Sequence, residues 1–244
     1  MRIAVLSDIH GNLAALEAVV ADFKRRGVDA VVNLGDSLSG PLLPRETAQY
    51  LMAQNDWQQL AGNHERQVLQ LSPNAGASDR YAREQLGAAE LAWMAGLQHS
   101  RAFNEQVWLC HGTPDCDVQV LLQSAERAAT ADEVEQRLKG HRSELLLCGH
   151  SHVARSVRCA SGGLIVNPGS VGQPAYEDDF PYPHVVESGS PDARYAIVER
   201  GAQGWIAELL SVPYAHQQMA ELARQANRSE WVQALSSGYI TPRT

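Results

Sequence analysis

The sequence has few of the features that mark a secreted, membrane-bound or nucleic-acid-binding protein. Its four cysteines show no C-x-x-C spacing, and a chain of 244 residues does not need disulfide staples. No uncharged apolar run is long enough to cross a bilayer, and the stretch before Ser7 is too short for a secretory leader. Lysine and arginine total 20 against 28 acidic residues, which gives a net charge of -8. We therefore expect a reduced, cytoplasmic protein with no membrane partner and without a broad nucleic-acid-binding face.

The composition is otherwise ordinary for a globular protein with a real core. Hydrophobic residues make up 44% of the chain and charged residues 20%. Cys110 and Cys148 lie inside apolar runs and are predicted to be buried free thiols. The candidate site residues described below run from Asp8 to His152, so a shared site needs both halves of the chain folded together. We therefore predict a single domain over residues 1–244.

The first third of the chain alternates short apolar runs with segments of helical periodicity. Apolar runs at 2–7, 30–34 and 57–60 predict strands, and residues 13–27 and 44–54 predict helices. This order is typical of parallel βαβ units.

The remainder combines a helical insert with a hairpin-rich region. Residues 65–99 show no strand-like alternation and predict helices, and 214–235 predict an amphipathic helix pair. Further strands are predicted at 107–110, 144–148, 154–159, 164–166, 194–199 and 205–212, with a helix at 130–139. Two packed sheets flanked by helices would accommodate both patterns, in an α/β (α+β) fold.

Five short polar clusters follow predicted elements of the chain. They are Asp8-Ile9-His10, Gly35-Asp36, Gly62-Asn63-His64-Glu65, His111-Gly112 and Gly149-His150-Ser151-His152. Taken singly, each has an ordinary explanation as a turn, a solvated loop or a buried histidine. Together they place carboxylate, amide and imidazole donors at strand ends, where open α/β sheets bind their ligands. This donor set suits borderline divalent metals such as Mn, Fe, Co, Ni or Zn.

The order of these motifs strongly resembles the calcineurin-like metallophosphoesterases. The segments Ser-Asp-Ile-His-Gly-Asn at 7–12 and Asn-Pro-Gly-Ser-Val-Gly-Gln-Pro at 167–174 are similar to the small bacterial and archaeal phosphodiesterase branch. The resemblance covers about residues 1–212. It implies a four-layer α/β/β/α sandwich of two mixed sheets with flanking helices.

The resemblance also implies a centre of two divalent metal ions (Mn, Fe, Zn, Ni or Co). The implied ligands are Asp8, His10, Asp36, Asn63, His111, His150 and His152. Asp8, His10 and His152 would hold one ion, Asp36 would bridge, and the other three would hold the second ion. His64 resembles the family's catalytic histidine, which is not a ligand. Two such cations would clamp a phosphoryl group and activate the water that attacks phosphorus in line.

Some features of the family are missing or open. The phosphoprotein-phosphatase branch has an Asp-Arg-Gly soon after its Gly-Asp, whereas residues 35–41 contain no further Asp and no Arg. We therefore do not expect a His-Asp dyad or an arginine clamp of that kind. Arg80 or Arg83 could contact phosphate from the helical insert, although a solvated helix face is the better reading. Residues 177–190 are read as an added loop, in which Tyr182 or His184 could touch substrate.

Three functions remain open on the sequence alone. The preferred one is a dinuclear-metal-dependent phosphoesterase that hydrolyses a small-molecule phosphodiester. The alternative is a dinucleoside polyphosphate hydrolase or a phosphomonoesterase. The least favoured is a non-catalytic metal-binding scaffold, because His64 and all seven implied ligands are present. The oligomeric state is left open.

Overall fold

The computed structural model describes residues 1–124, 127–180 and 182–241. The single-domain prediction over 1–244 and the loop predicted at 177–190 each include residues outside these ranges. The strands are β1 (Arg2–Leu6), β2 (Ala30–Asn33), β3 (Gln58–Gln59), β4 (Ser100–Ala102), β5 (Val107–Cys110), β6 (Gln123–Ser124), β7 (Arg127–Ala128), β8 (Leu145–Leu147), β9 (Arg155–Arg158), β10 (Leu164–Asn167), β11 (Ala175–Asp178), β12 (His184–Glu187), β13 (Ala193–Gly201) and β14 (Gly204–Val212). The helices are α1 (Leu13–Arg26), α2 (Pro44–Met52), α3 (Asn63–Leu69), α4 (Ala77–Gln85), α5 (Ala88–Ala95), α6 (Ala131–Leu138), α7 (His216–Gln225) and α8 (Ser229–Ser237).

The first five-stranded sheet has the order β14-β13-β1-β2-β3. β1, β2 and β3 are parallel, as expected for βαβ units, whereas β13 pairs antiparallel with both β1 and β14. Both ends of the connecting helix α1 are stabilised. The Asn12 side chain accepts the Ala15 N–H at its start, and three basic residues lie in its last turn.

The second five-stranded sheet has the order β4-β5-β8-β10-β9. Its central strands β5, β8 and β10 are parallel, and the two edge strands are antiparallel to their neighbours. Both sheets are therefore mixed, and their parallel strands carry the polar clusters at their carboxyl ends.

Strand alternation sends side chains to both faces of each sheet and so creates the layers. Between the sheets, Ile3 and Val5 of β1 pack in one cluster with Leu109 and Leu147. The opposite face of the first sheet packs against α1 and α2, and that of the second sheet against α6. The order helix, sheet, sheet, helix confirms the predicted four-layer α/β/β/α sandwich.

One part of the chain differs from the sequence prediction, and two helical parts agree with it. The segment read as an added loop instead forms the hairpin β11–β12, so that reading was wrong. Its acidic and proline-rich sequence hides the strand alternation, and its two strands pair only with each other. Residues 65–99 hold helices, as expected, and the C-terminal helix pair is present as α7 and α8.

The cysteines also match the expectation from composition. All four cysteines are free, with Cys110 and Cys148 buried. Burial raises the pKa of both of these thiols, so neither is set up as a reactive thiolate. Within the described ranges, every helix is too short or too polar to cross a bilayer.

Asp22 of α1 links the first sheet to its helical layer, and we predict a large stability loss for Asp22→Asn. Its side chain is 5% exposed and accepts hydrogen bonds from Tyr195 Oη at 2.6 Å and Arg26 Nε at 2.7 Å. Burial raises the pKa of Asp22, but these two hydrogen bonds lower it below its usual value. We expect Asp22→Asn to lower the free energy of unfolding at neutral pH by about 1.5–3 kcal/mol.

The pH dependence gives this prediction a second readout. A carboxyl group whose pKa is lower in the folded protein than in the unfolded chain stabilises the fold. This contribution is fully present above the unfolded pKa of about 3.9 and is lost as the pH falls through the folded pKa. Urea unfolding between neutral and acidic pH would therefore show a shallower decline for Asp22→Asn than for the wild type. Glu17→Gln, at an exposed position of the same helix, is the control. Equal losses in the two variants would contradict the assigned role.

Candidate metal centre

The loops that follow the parallel strands are tied together by backbone hydrogen bonds. Asp8 N donates to Gly35 O at 2.9 Å, which joins the loops after β1 and β2. Gly149 N donates to His111 O at 2.7 Å, which joins the loops after β8 and β5. The two sheets are joined by Val171 N, which donates to Ser7 O at 3.0 Å. All five polar clusters consequently meet at one edge of the sandwich.

The backbone at this edge is unusual. Five non-glycine residues have left-handed φ values: Asp8 at 57°, His10 at 52°, Asp36 at 54°, His150 at 67° and His152 at 56°. This conformation is uncommon outside glycine and is retained where the surrounding structure enforces it. Such residues concentrate at functional sites, and here all five belong to the predicted ligand set.

Two glycines let the loops approach closely enough for this arrangement. A Cβ atom at Gly62 would collide with Asp36 Oδ1, and one at Gly149 would collide with the Ser7 hydroxyl. The loops after β3 and β8 thus pack directly against polar groups of the loops after β2 and β1. A larger residue at either position would displace a candidate ligand.

The first group of donors consists of Asp8, His10 and His152, all buried. The Nε2 atoms of the two histidines lie 3.1 Å apart. His152 Nε2 lies 3.4 Å from Asp8 Oδ1, an oxygen that accepts no hydrogen bond in the described structure. One ligand atom from each residue lies within 4.8 Å of the others, as binding of one ion requires.

The second group consists of Asp36, His111 and His150, with Asn63 beside them. His111 Nε2 lies 3.1 Å from Asp36 Oδ2 and 3.2 Å from Asn63 Oδ1. The Asp36 carboxylate also interacts electrostatically with His10 of the first group. Its position beside both groups is the one that a bridging carboxylate needs.

Hydrogen bonds to backbone carbonyls determine which ring nitrogen of each histidine faces the centre. Since a carbonyl oxygen only accepts, the ring nitrogen next to it must carry the proton, and the other nitrogen keeps its lone pair. These contacts join Nδ1 of His10 to Ser39 O at 2.7 Å, Nδ1 of His152 to Gln173 O at 2.9 Å, Nδ1 of His111 to Leu34 O at 2.9 Å, and Nε2 of His150 to Val118 O at 3.0 Å.

These tautomers show that the donor set fits a cation. In the first group, two imidazole lone pairs face each other beside the unpartnered oxygen of Asp8, an arrangement that repels unless positive charge lies between. Burial lowers the pKa of His10 to about 3, which keeps that ring neutral. Burial also lowers the pKa of His111, but the adjacent Asp36 carboxylate raises it to about 10. A cation would displace that proton, because a ligating imidazole is neutral.

His64 lies beside the donor groups rather than within them. Its Nδ1 donates to Asp79 Oδ1 at 2.7 Å, while its backbone N–H donates to Asp36 Oδ1 at 2.9 Å. Burial lowers the pKa of His64, but the charge of Asp36 and the hydrogen bond to Asp79 raise it to about 9. The ring therefore favours its protonated form, with Asp79 as the partner of Nδ1.

His64 has an acidic partner, although not from the segment after Gly35-Asp36, where a dyad of the phosphoprotein-phosphatase kind would need it. Asp79 belongs to α4 of the helical insert, not to the loop that follows Asp36. It is buried, and the Ser39 hydroxyl donates to the same oxygen that pairs with His64, at 2.7 Å. Only the packing of α4 against α3 brings it to His64, so no local motif could reveal the pair.

Glu65 is a second functional residue that motif reasoning left without a role. Its carboxylate is 1% exposed and accepts the N–H groups of Asp36 at 2.8 Å, Ser37 at 2.8 Å and Gly62 at 2.6 Å. It thereby fixes the Asp36 turn to the start of α3, where Asn63 lies. The signal in the sequence was the capping-box position, three residues after the N-cap.

We predict that Glu65→Gln lowers the free energy of unfolding by about 2–3 kcal/mol, because its amide NH₂ would oppose a buried backbone N–H. It should also weaken metal binding about 10–100-fold, since the Asp36 turn loses its support. Urea unfolding and metal titration measure the two effects. The matched control is Glu90→Gln in the capping box of α5, where the carboxylate accepts the backbone N–H of Gly87 at 2.9 Å and the side-chain amide of Gln49 at 3.2 Å. A comparable metal affinity in both variants would refute the positioning role.

A cavity of about 740 Å³ opens above both donor groups. Its walls come from the helical insert, the hairpin β11–β12 and α8. Tyr176 and Phe180 line it, whereas Tyr182 and His184 are not among the described lining residues. Arg80 and Arg83 are also not among them, in agreement with the solvated-face reading.

Comparison with known proteins agrees with this geometry. The sequence profile of the calcineurin-like phosphoesterase superfamily domain matches residues 1–186. An uncharacterized protein of Methanocaldococcus jannaschii is 28% identical over 196 residues, which cover 70% of this chain and 76% of that protein.

Two solved structures extend the similarity to nearly the whole chain. A metallophosphoesterase from Sphaerobacter thermophilus has a TM-score of 0.77 and 25% identity, covering 98% of this chain and 100% of that one. A hypothetical protein from Pyrococcus horikoshii has a TM-score of 0.75 and 18% identity, covering 98% of this chain and 99% of that one, and shows the shared fold. The similarity thus includes the C-terminal strands and helices.

Proposed function

The chain belongs to the calcineurin-like phosphoesterase superfamily, and from that premise we propose that it hydrolyses a small-molecule phosphodiester with the help of two divalent cations. The plain conclusion is a metal-dependent phosphoric ester hydrolase. The observation that carries the finer proposal is the pair of donor groups, with lone pairs turned inward and the charge of Asp36 acting on histidines of both groups. The cavity above the pair provides room for an ester.

The proposed roles follow from the contacts. When bound, the two cations supply positive charge for the phosphoryl oxygens and lower the pKa of a water. Asp36 would bridge the two cations. Asp8, His10 and His152 would hold one cation, and the remaining three ligands would hold the other. We propose Mn, Fe, Co, Ni or Zn, because nitrogen ligands predominate.

His64 would act on the substrate rather than on the metals. With Nδ1 engaged by Asp79, the Nε2–H can donate to a phosphoryl oxygen or protonate the departing alkoxide. Asp79 orients the ring and stabilises its positive charge, so it is a positioning residue. We also place the enzyme in the cytoplasm, which fits its free cysteines.

A metal and substrate panel tests the proposal. Metal-stripped protein would be reloaded with Mn, Co, Ni, Zn or Mg and assayed with a phosphodiester, a phosphomonoester and a dinucleoside polyphosphate. We expect turnover that depends on the added metal and is fastest with the diester, at two ions per chain by elemental analysis. Faster turnover of the monoester or the polyphosphate would replace the proposed substrate. Inactivity with every combination would favour a metal-binding scaffold.

A further inference from the structure

We propose that the cavity binds the organic part of its substrate as a flat, uncharged ring on the hairpin β11–β12 and accepts only one phosphoryl group. This inference rests on the proposed function, because it takes the scissile phosphoryl group to lie at the two donor groups. The inferred substrate class is a phosphodiester that carries a single negative charge and a ring-bearing ester group such as a nucleoside. Three features of the cavity support it: its size, its charges and its exposed aromatic side chain.

The cavity is much larger than a phosphoryl group. Its volume of about 740 Å³ falls within the range of about 300–1,000 Å³ that small-molecule sites occupy. Tyr176 connects the donor groups to the hairpin wall, since its ring centroid lies 4.7 Å from that of His152. A substrate that reaches from the metals along this wall therefore meets β11.

The arginines of the cavity are already paired. Arg66 makes two hydrogen bonds to Asp117, at 2.8 and 2.9 Å. Arg228 contacts Glu230 at 2.6 Å and Ser78 at 3.0 Å. No further lysine or arginine lines the cavity in the part of the chain that the structure describes. The charge of each guanidinium is therefore already offset by a carboxylate, which weakens its attraction for a second phosphate.

The same wall also carries negative charge. Glu177 and the exposed Asp178 of β11 line the cavity, whereas the charge of Glu230 of α8 is offset by Arg228. A phosphodiester brings one negative charge, which the cations would neutralise. Each additional phosphate would lie against these carboxylates at an energetic cost, because like charges repel strongly where water is partly excluded. The wall therefore discriminates against phosphoanhydrides.

Phe180 provides the ring-binding surface. It lines the cavity at the end of the hairpin, yet 65% of its surface is exposed. A flat ring stacked on it would remove apolar surface from water. The hairpin belongs to neither five-stranded sheet, and Phe180 is not part of the hydrophobic clusters of the described core, so its side chain can change without altering that core.

The test compares three diesters that share a glycerol group. They are the glycerol esters of methyl phosphate, thymidine monophosphate and thymidine diphosphate, assayed by chromatography with the Mn-loaded full chain. We expect the thymidine monophosphate ester to exceed the methyl ester about ten-fold in kcat/KM, mostly through KM. The diphosphate ester should be at least about ten-fold slower than the monophosphate ester.

Variants assign these preferences to residues. Phe180→Ala should raise KM for the thymidine monophosphate ester about ten-fold, with kcat and the methyl ester unaffected. Val185→Ala, at a 44% exposed position of β12 that is not among the described lining residues, is the matched control. The double variant Glu177→Gln with Asp178→Asn should raise kcat/KM for the diphosphate ester relative to kcat/KM for the monophosphate ester.

The outcomes separate this inference from the proposed function. Hydrolysis of all three esters without a preference, or equal effects of Phe180→Ala and Val185→Ala, would overturn the inference and leave phosphodiester hydrolysis standing. A preference for the diphosphate ester would likewise overturn it. No hydrolysis of any ester would instead remove the proposed function on which the inference rests.

Discussion

Replacing His64 with alanine should lower kcat by about 10²–10⁴-fold while the metal content stays that of the wild type. The ring lies outside both donor groups, and its Nδ1 is already bound to Asp79. Its loss therefore removes a proton donor without removing a ligand. Steady-state kinetics and elemental analysis on the same preparation measure both quantities. A matching loss of metal would place His64 among the ligands.

The identity of the leaving group tests what His64 contributes. If it protonates the departing oxygen, the His64→Ala defect should be largest for an alkoxide and should shrink for a nitrophenolate, which needs no proton. A defect of equal size for both would mean that the ring only stabilises charge on the phosphoryl oxygens. His141→Ala is a control, because that ring packs on Trp108, at a centroid distance of 4.6 Å, and has no part in the site.

Asp79→Asn tests the dyad without removing the imidazole. The Asp79 carboxylate raises the pKa of His64, so its loss should lower that pKa. Since the proposed role of His64 requires the protonated ring, the alkaline limb of the kcat profile should move to lower pH in Asp79→Asn. A merely structural contact would change the height of the profile and leave its limbs in place.

The sequence could predict those parts of the site that depend on local order. Asp8, Asp36 and His150 each follow an apolar strand, and parallel strands bring their carboxyl ends to one edge. The same alternation of strands and helices predicted two packed sheets flanked by helices, and the family resemblance implied their four-layer order. Pairs such as Asp8 with His10 were recognisable because a single turn joins them.

The remaining parts depend on packing between distant segments. Asp79 reaches His64 only because α4 packs against α3, and Glu65 becomes important only when the Asp36 loop folds onto it. Left-handed conformations at non-glycine residues such as His152 leave no mark in the composition. The hairpin β11–β12 was missed because its polar sequence is typical of a loop, and only its position above the metal centre gives it importance.

Replacing Asp36 with asparagine should reduce the bound metal from two ions to one or none and lower kcat/KM by at least about 10³-fold. Asp36 is buried, with Oδ2 3.1 Å from His111 Nε2 and Oδ1 accepting the His64 N–H at 2.9 Å. An amide keeps the shape of the side chain but removes the negative charge that would offset repulsion between two neighbouring cations. The loss should therefore exceed that from any change confined to one donor group.

A thermal readout separates this loss of metal from a loss of folding. A cation that binds only the folded state raises Tm, so added Mn should stabilise the wild type. The same addition should have little effect on Asp36→Asn. Asp117→Asn is the matched control, because that carboxylate pairs with Arg66 and lies outside both donor groups. If Asp36→Asn bound two ions and kept its Mn-dependent rise in Tm, the bridging role would be excluded, and the two groups would have to bind their cations independently.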